Sequence, residues 1–242
     1  MRSAKTVGRI VGLLLLVHLV IGLILPFVWL HPVTRPNFLE LAAPNALQLR
    51  AAVLLFFVGS AIPIAAAILA FPVFRRFSSA MPLWLAALSV VAYALQIVDN
   101  GAIMSMLALS QQYVSADAAK AETFQSLAIV AGAIRRWTHY TALLATVGWI
   151  FLLSGVLYRT RVVPRVLAAL GLIASLLQII GVPLRAFLGY PPEMRLAMPL
   201  APVYAAMALW LMVKGFDERS APHAEAEQVS AQRSPQTRSQ GV

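Results

Sequence analysis

Six stretches of this 242-residue chain are each apolar enough and nearly or fully long enough to cross a lipid bilayer. They run from about Arg9 to Leu30, Leu49 to Phe74, Pro82 to Leu109, Trp137 to Tyr158, Pro164 to Leu188 and Met198 to Val213. A helix rising 1.5 Å per residue needs about 20 apolar residues to cross about 30 Å of hydrocarbon, and only the last run is short of that. With 60% hydrophobic and 12% charged residues, most of these runs have no polar face to turn towards water. A lipid-facing barrel would alternate apolar and polar residues, whereas these runs are apolar on nearly all sides. The expected class is all-α: a polytopic bundle of six transmembrane helices. The apolar run after Arg9 exceeds the usual 7 to 15 residues of a signal-peptide core, so it reads as an uncleaved first span.

The chain carries 19 Lys and Arg against 9 Asp and Glu, a formal charge of +10. The cations cluster beside the apolar runs, where anionic headgroups and the positive-inside bias account for them, so nucleic acid is not the expected partner; the lipid bilayer is. One side of the membrane would hold Arg2, Lys5, Arg9, Arg75, Arg76, Arg159, Arg161, Arg165, Lys214 and Arg219. The other would hold Arg35, Arg50, Lys120, Arg135, Arg136, Arg185 and Arg195. Ten against seven places both termini in the cytoplasm of a bacterial cell, with the spans in its inner membrane. Residues 217–242, polar and nearly free of large apolar side chains, are expected to form a disordered cytoplasmic tail.

The stretch Pro82 to Ile97 aligns without a gap on Pro164 to Ile179, with nine of sixteen positions identical, among them Pro82/Pro164 and Gln96/Gln178. Each copy follows a basic turn. Both would run outward from the cytoplasm, making spans two and three a parallel repeat of spans four and five.

Three further stretches resemble a bacterial multi-pass membrane family known as domain of unknown function 4386. They are GRIVGLLLLVHLVIG (Gly8 to Gly22), GVLYRTRVVPRVLAALGLIAS (Gly155 to Ser175) and ALWLMVKGF (Ala208 to Phe216). The resemblance implies a compact helical membrane domain and brings no catalytic residue or substrate with it.

Ionisable groups inside a membrane are expensive and mark candidate sites. Gln96, Asp99 and Asn100 share one face of span three by their i, i+3, i+4 spacing. Gln178 and Arg185 share a face of span five, and span four enters from the same side with Arg135, Arg136, Thr138, His139 and Tyr140. Gln96, Asp99, Asn100, Arg136, His139, Tyr140, Gln178 and Arg185 are therefore the candidate polar cluster, in the outer half of the bundle. Asp99 needs a counter-charge, for which Arg136 or Arg185 is the expected source. The simplest role for such a pair is a structural joint between helices, ahead of a ligand site or a catalytic one. His18, near the middle of span one, reads as a neutral imidazole bonded to a neighbouring helix. Pro63 and Pro26 are expected to kink their helices, and Ala145, Gly148 and Gly155 to give span four a small-residue packing face.

The chain has no cysteine, which excludes disulfides, thiolate ligands and cysteine nucleophiles. The absence of paired intramembrane histidines gives no basis for haem, no other cofactor or metal is indicated, and no phosphate-loop, dinucleotide, zinc-protease or serine-hydrolase motif occurs. The leading expectation is a non-enzymatic membrane protein that binds a membrane partner, a lipid or a regulator. The alternative is a small-molecule or ion carrier working through the polar cluster, with two copies of the chain forming one pathway.

Overall fold

The computed structural model describes residues 3–189 and 193–217, so the expected tail lies outside the described residues beyond Asp217. Among the described residues every regular element is helical. In chain order these are α1 (Ala4–Ile24), continued by a single π turn at Leu25–Trp29, the short α2 (His31–Thr34) and α3 (Phe38–Leu41), α4 (Ala46–Phe74) and α5 (Ala80–Val114). Then follow α6 (Ala121–Thr160), α7 (Arg165–Leu188), α8 (Glu193–Ala197) and α9 (Leu200–Lys214). Six of the helices are long and apolar enough to cross a membrane: α1 with its π turn, α4, α5, α6, α7, and α9 with the residues just before it.

The spans pack in sequence order. α1 meets α4, α4 meets α5, α5 meets α6, α6 meets α7, α7 meets α9, and α9 returns to α1, closing the ring. Short turns such as Arg75–Ser79 and Arg161–Pro164 leave each span little choice but to return beside its predecessor, antiparallel to it. The closing contact is the tightest. A Cβ on Gly12 would lie 2.5 Å from the backbone N of Met212 and 2.7 Å from the carbonyl O of Ala208, and one on Gly8 would strike the backbone N of Phe216. The two glycines, four residues apart, let the backbones of α1 and α9 approach in the manner of small-xxx-small pairs in membranes.

Two apolar cores lie along the bundle. One, built on Val11, Leu15, Phe74, Leu85, Trp149, Leu157, Tyr204 and Phe216, fills the end where both ends of the described chain lie. The other, on Leu25, Leu30, Phe38, Leu49, Ile103, Met106 and Leu107, fills the opposite end. There the segment between α1 and α4 folds over α5: Ser110 Oγ donates to the Leu39 carbonyl at 2.7 Å and accepts from the Ala43 N–H at 2.8 Å. Large side chains such as Leu13, Leu54, Ile68, Trp84, Val91 and Ile173 remain exposed, a surface suited to acyl chains rather than water.

Three features go beyond what the apolar runs state. The helices extend beyond the apolar runs of spans three and four: α5 and α6 have 35 and 40 residues, and α6 begins at Ala121, sixteen residues before Trp137. Membrane thickness sets a minimum length for an apolar run; it does not stop a helix whose next turns, AETFQSLAIVAGAI, contain no proline. α4 runs through Pro63 and Pro72 as one 29-residue helix, and Pro26 falls in the π turn that follows α1. A Cβ added at Gly148 or Gly155 would meet only a leucine side chain at 3.7 Å, Leu88 or Leu172, so the close backbone approach in the bundle is that at Gly8 and Gly12.

The repeated stretches occupy matching registers. Ser89 and Gly171, Ala92 and Ala174, Asp99 and Gly181, and Asn100 and Val182 are buried in both copies, whereas Val91 and Ile173, and Ala94 and Leu176, are exposed in both. α5 and α7 flank α6 on either side and run in the same direction. Gln96 and Gln178 are each half-buried.

Candidate functional site

The buried face of α5 follows Leu85, Ser89, Ala92, Asp99, Ile103, Met106 and Ser110, a heptad-like spacing that carries Asp99 inward with its apolar neighbours. On α6 the face through Arg135, Thr138, Ala142, Trp149, Leu153 and Val156 does the same. These faces meet between the two apolar cores, where Asp99 is 1% exposed and Arg135 11%. The Arg135 guanidinium lies 3.1 Å from Asp99 Oδ1, and the Thr138 hydroxyl donates to the same oxygen at 2.9 Å. Asp99 Oδ2 takes a long hydrogen bond from Gln96 Nε2 at 3.4 Å and lies 3.7 Å from His139 Nδ1. Gln96 Nε2 also donates to Asn100 Oδ1 at 3.1 Å.

This arrangement answers the cost of a carboxylate in a low-dielectric interior with a counter-charge and polar donors at once. It joins α5 to α6, and His139 at its margin has a side chain that is 38% exposed. Two buried donors beside it, Asn100 Nδ2 and Arg135 Nε, have no hydrogen-bond partner among the described residues.

Of the residues singled out from the sequence, Gln96, Asp99, Asn100 and His139 come together, with the Tyr140 ring 6.2 Å from that of His139. Arg136 does not join them. It is exposed, about 100° around α6 from its neighbour, and Arg135 is the counter-ion. Gln178 and Arg185 also stay apart, because α7 lies on the far side of α6 from α5. Arg185 is exposed, and Gln178 makes no side-chain hydrogen bond among the described residues. The residues missed were Arg135 and Thr138. Their signal was periodicity: counted back from the apolar positions Trp149 and Ala142, the inward face of α6 reaches Thr138 and Arg135.

His18 lies apart from this cluster. Its Nδ1 is 3.2 Å from the Tyr204 hydroxyl, tying α1 to α9, and its ring stands edge-on to Trp149 at 6.3 Å. The Trp149 indole Nε1 is buried without a hydrogen-bond partner among the described residues. No group of three His, Asp or Glu that could hold a metal ion occurs among the described residues.

A closed ring of six apolar helices with a neutralised charge layer inside it defines a multi-pass helical membrane protein. Residues 10–215 match the model of the family described as domain of unknown function (DUF4386), and the chain belongs to that family. No curated protein and no solved structure matches it.

Proposed function

We propose that this is a non-enzymatic protein of the bacterial inner membrane that works by binding a lipid, a membrane partner or a regulator at its surface, with both termini in the cytoplasm. The observation that carries the reading is the state of Asp99, which is paired with Arg135, bonded by Thr138 and 1% exposed. A carrier moving a polar solute through this region needs those groups hydrated and turned towards a path. Here they are spent on one another, and Gln178 and Arg185, which a path through the outer half of the bundle would need, stand on the other side of α6. The excess of cations at the end where the chain's termini lie supports the orientation.

The natural absence of cysteine makes a direct test available. Asn100→Cys places one thiol in the buried layer, and Ser115→Cys places one at the exposed end of α5. Maleimide reacts with the thiolate, which forms only where water reaches. In membrane vesicles we expect a membrane-impermeant maleimide to label Ser115→Cys once its side is accessible and to leave Asn100→Cys unmodified. Labelling of Asn100→Cys in the folded protein would overturn the closed-site reading in favour of a carrier.

A further inference from the structure

Sixteen residues, Leu30 to Asn45, connect the π turn after α1 to α4 by a path that crosses α5 at the end of the bundle away from the chain's own ends. They contain three prolines, Pro32, Pro36 and Pro44, and two helices of only four residues each, α2 and α3, too short to keep their shape without a surface to lie on. That surface is α5. Val33, Phe38, Leu39 and Ala42 are buried in one cluster with Ile103, Met106 and Leu107. The polar attachment is narrower. Among the described residues, both hydrogen bonds from the segment to α5 end on a single atom, Ser110 Oγ, which donates to the Leu39 carbonyl and accepts from the Ala43 N–H. The segment's other hydrogen bonds close within it, or onto the π turn and α4 that flank it.

Ser110 stands thirty residues after Ala80, about 45 Å along α5 and past the roughly 30 Å of hydrocarbon that the helix crosses. The segment over it therefore faces headgroups and water rather than acyl chains. None of the joints that hold the ring passes through it: α1 meets α9 at Gly8 and Gly12, and Asp99 with Arg135 ties α5 to α6. Lifting the segment leaves the spans packed. It uncovers a few large apolar side chains and returns backbone freedom to sixteen residues, two opposing terms of similar size. Such an element opens at far lower cost than the whole molecule unfolds. Its near end has a joint, for α1 loses its regular bonding at the π turn, where Pro26 has no N–H to give and the Trp29 carbonyl is met from α4 by Gln48 Nε2 at 2.8 Å. Its far end turns at Pro44, just before α4. We propose that residues 30–45 are a lid, latched by Ser110, that opens as a unit about the π turn and uncovers an apolar groove formed by Leu49 and Val53 of α4 and Ile103, Met106 and Leu107 of α5. The inference goes beyond the closed-bundle reading and does not rest on it.

The test uses the full chain in neutral detergent with one cysteine, either Ala42→Cys on the inner side of the lid or Ala70→Cys in the other core. The rate of modification by N-ethylmaleimide is followed under conditions where the bundle stays folded, since the reagent takes the thiolate and the thiolate needs water. We expect Ala42→Cys to react faster than Ala70→Cys by roughly tenfold or more. Adding Ser110→Ala removes both bonds of the latch and should speed Ala42→Cys by roughly another tenfold while leaving Ala70→Cys at its own rate. Val33→Ala trims an apolar contact of the lid and breaks no hydrogen bond, and it should act in the same selective way. It keeps the test valid should the Ser110→Ala chain fold poorly. Equal rates at the two cysteines would overturn the proposal. So would a failure of both variants to speed Ala42→Cys, or an equal rise at both cysteines, because Ser110 would then be one contact in a single cooperative bundle. Labelling of Asn100→Cys is a separate readout of the polar layer, so failure of the lid and failure of the closed-bundle reading are distinguishable.

Discussion

At the scale of single residues, the energetics centre on one ion pair. Asp99 and Arg135 are nearly out of contact with solvent, and removing either leaves the other charged and alone in the bundle. Losing one partner of a buried pair costs about 3 to 5 kcal/mol, whereas replacing both by apolar residues is often roughly neutral. Asp99→Leu and Arg135→Leu should therefore each lower the thermal midpoint in detergent sharply, and the double variant should recover most of the loss. Arg136→Leu, on the exposed face of α6, should change it little. A double variant no more stable than its worse parent would mean that Thr138, Gln96 and His139 depend on the charges for their own placement. The His18–Tyr204 bond is a smaller joint. Tyr204→Phe keeps the ring and removes the hydroxyl, so it should cost about 0.5 to 1.5 kcal/mol, measured by the same unfolding. The sequence made the inward position of Asp99 legible, because Ala92, Ile103 and Met106 share its face. It also put Arg136, His139 and Tyr140 among the candidates on α6, beside the unselected Arg135 and Thr138, and adjacent arginines differ only in helical phase. Charge alone does not distinguish Arg135 from Arg136; the phase of the buried face towards the C-terminal end of the helix does.

At the scale of elements, the existence of all six spans follows from hydrophobicity, and their packing follows from something finer. An apolar run states that a segment prefers lipid, but lipid tails are as apolar as leucine, so it does not say which neighbour the segment chooses. That choice lies in the small residues and the turns. Gly8 and Gly12, spaced four apart in GRIVG, bring α1 against α9 and close the ring, whereas Gly148 and Gly155, also small and on one helix, do not produce a close approach. The difference lies in the partner: α9 offers backbone at Ala208 and Met212, while Gly148 meets only the Leu88 side chain and Gly155 that of Leu172. Gly12→Ala should thus strain the α1–α9 contact and destabilise by about 1 to 3 kcal/mol, the usual cost of overpacking. Gly22→Ala is the internal control. Nothing lies within 4 Å of the added Cβ, so the gain in helix propensity should stabilise by about 0.5 to 1 kcal/mol. The lengths of α5 and α6 were less legible, since at 1.5 Å per residue they reach about 52 and 60 Å, well past the hydrocarbon that defined their apolar runs. What extends them is the second core, in which Ile103, Met106 and Leu107 are covered by the segment after α1 rather than by lipid.

At the scale of the whole molecule, the closed ring fixes the relation between the chain's two ends. Six spans return the chain to the side on which it began, and the contacts say so directly: a Cβ on Gly215 would strike the Lys5 carbonyl, Arg9 donates to the Val213 carbonyl at 3.2 Å, and the Asp217 N–H donates to the Val162 carbonyl at 3.2 Å. Which side that is depends on charge. The sequence places ten Lys and Arg at this end and seven at the other, and one of the seven, Arg135, is held in a buried pair with Asp99. A cation neutralised inside the bundle exerts little hold on the cytoplasmic leaflet, so ten against six is the more appropriate comparison. We therefore expect a reporter fused after Lys214 to signal from the cytoplasm and one inserted between Asn37 and Asn45 to signal from the periplasm. The charge argument also predicts how the preference weakens. The turn at Arg75 and Arg76 and the turn at Arg159 and Arg161 are short and free of acids, the kind of loop in which each cation counts most. Replacing those four arginines by glutamine leaves six at this end against six at the other, and the fusion after Lys214 should then report a mixed population. A reporter that remained fully cytoplasmic in that variant would show that the folded ring, rather than its flanking charges, sets the orientation.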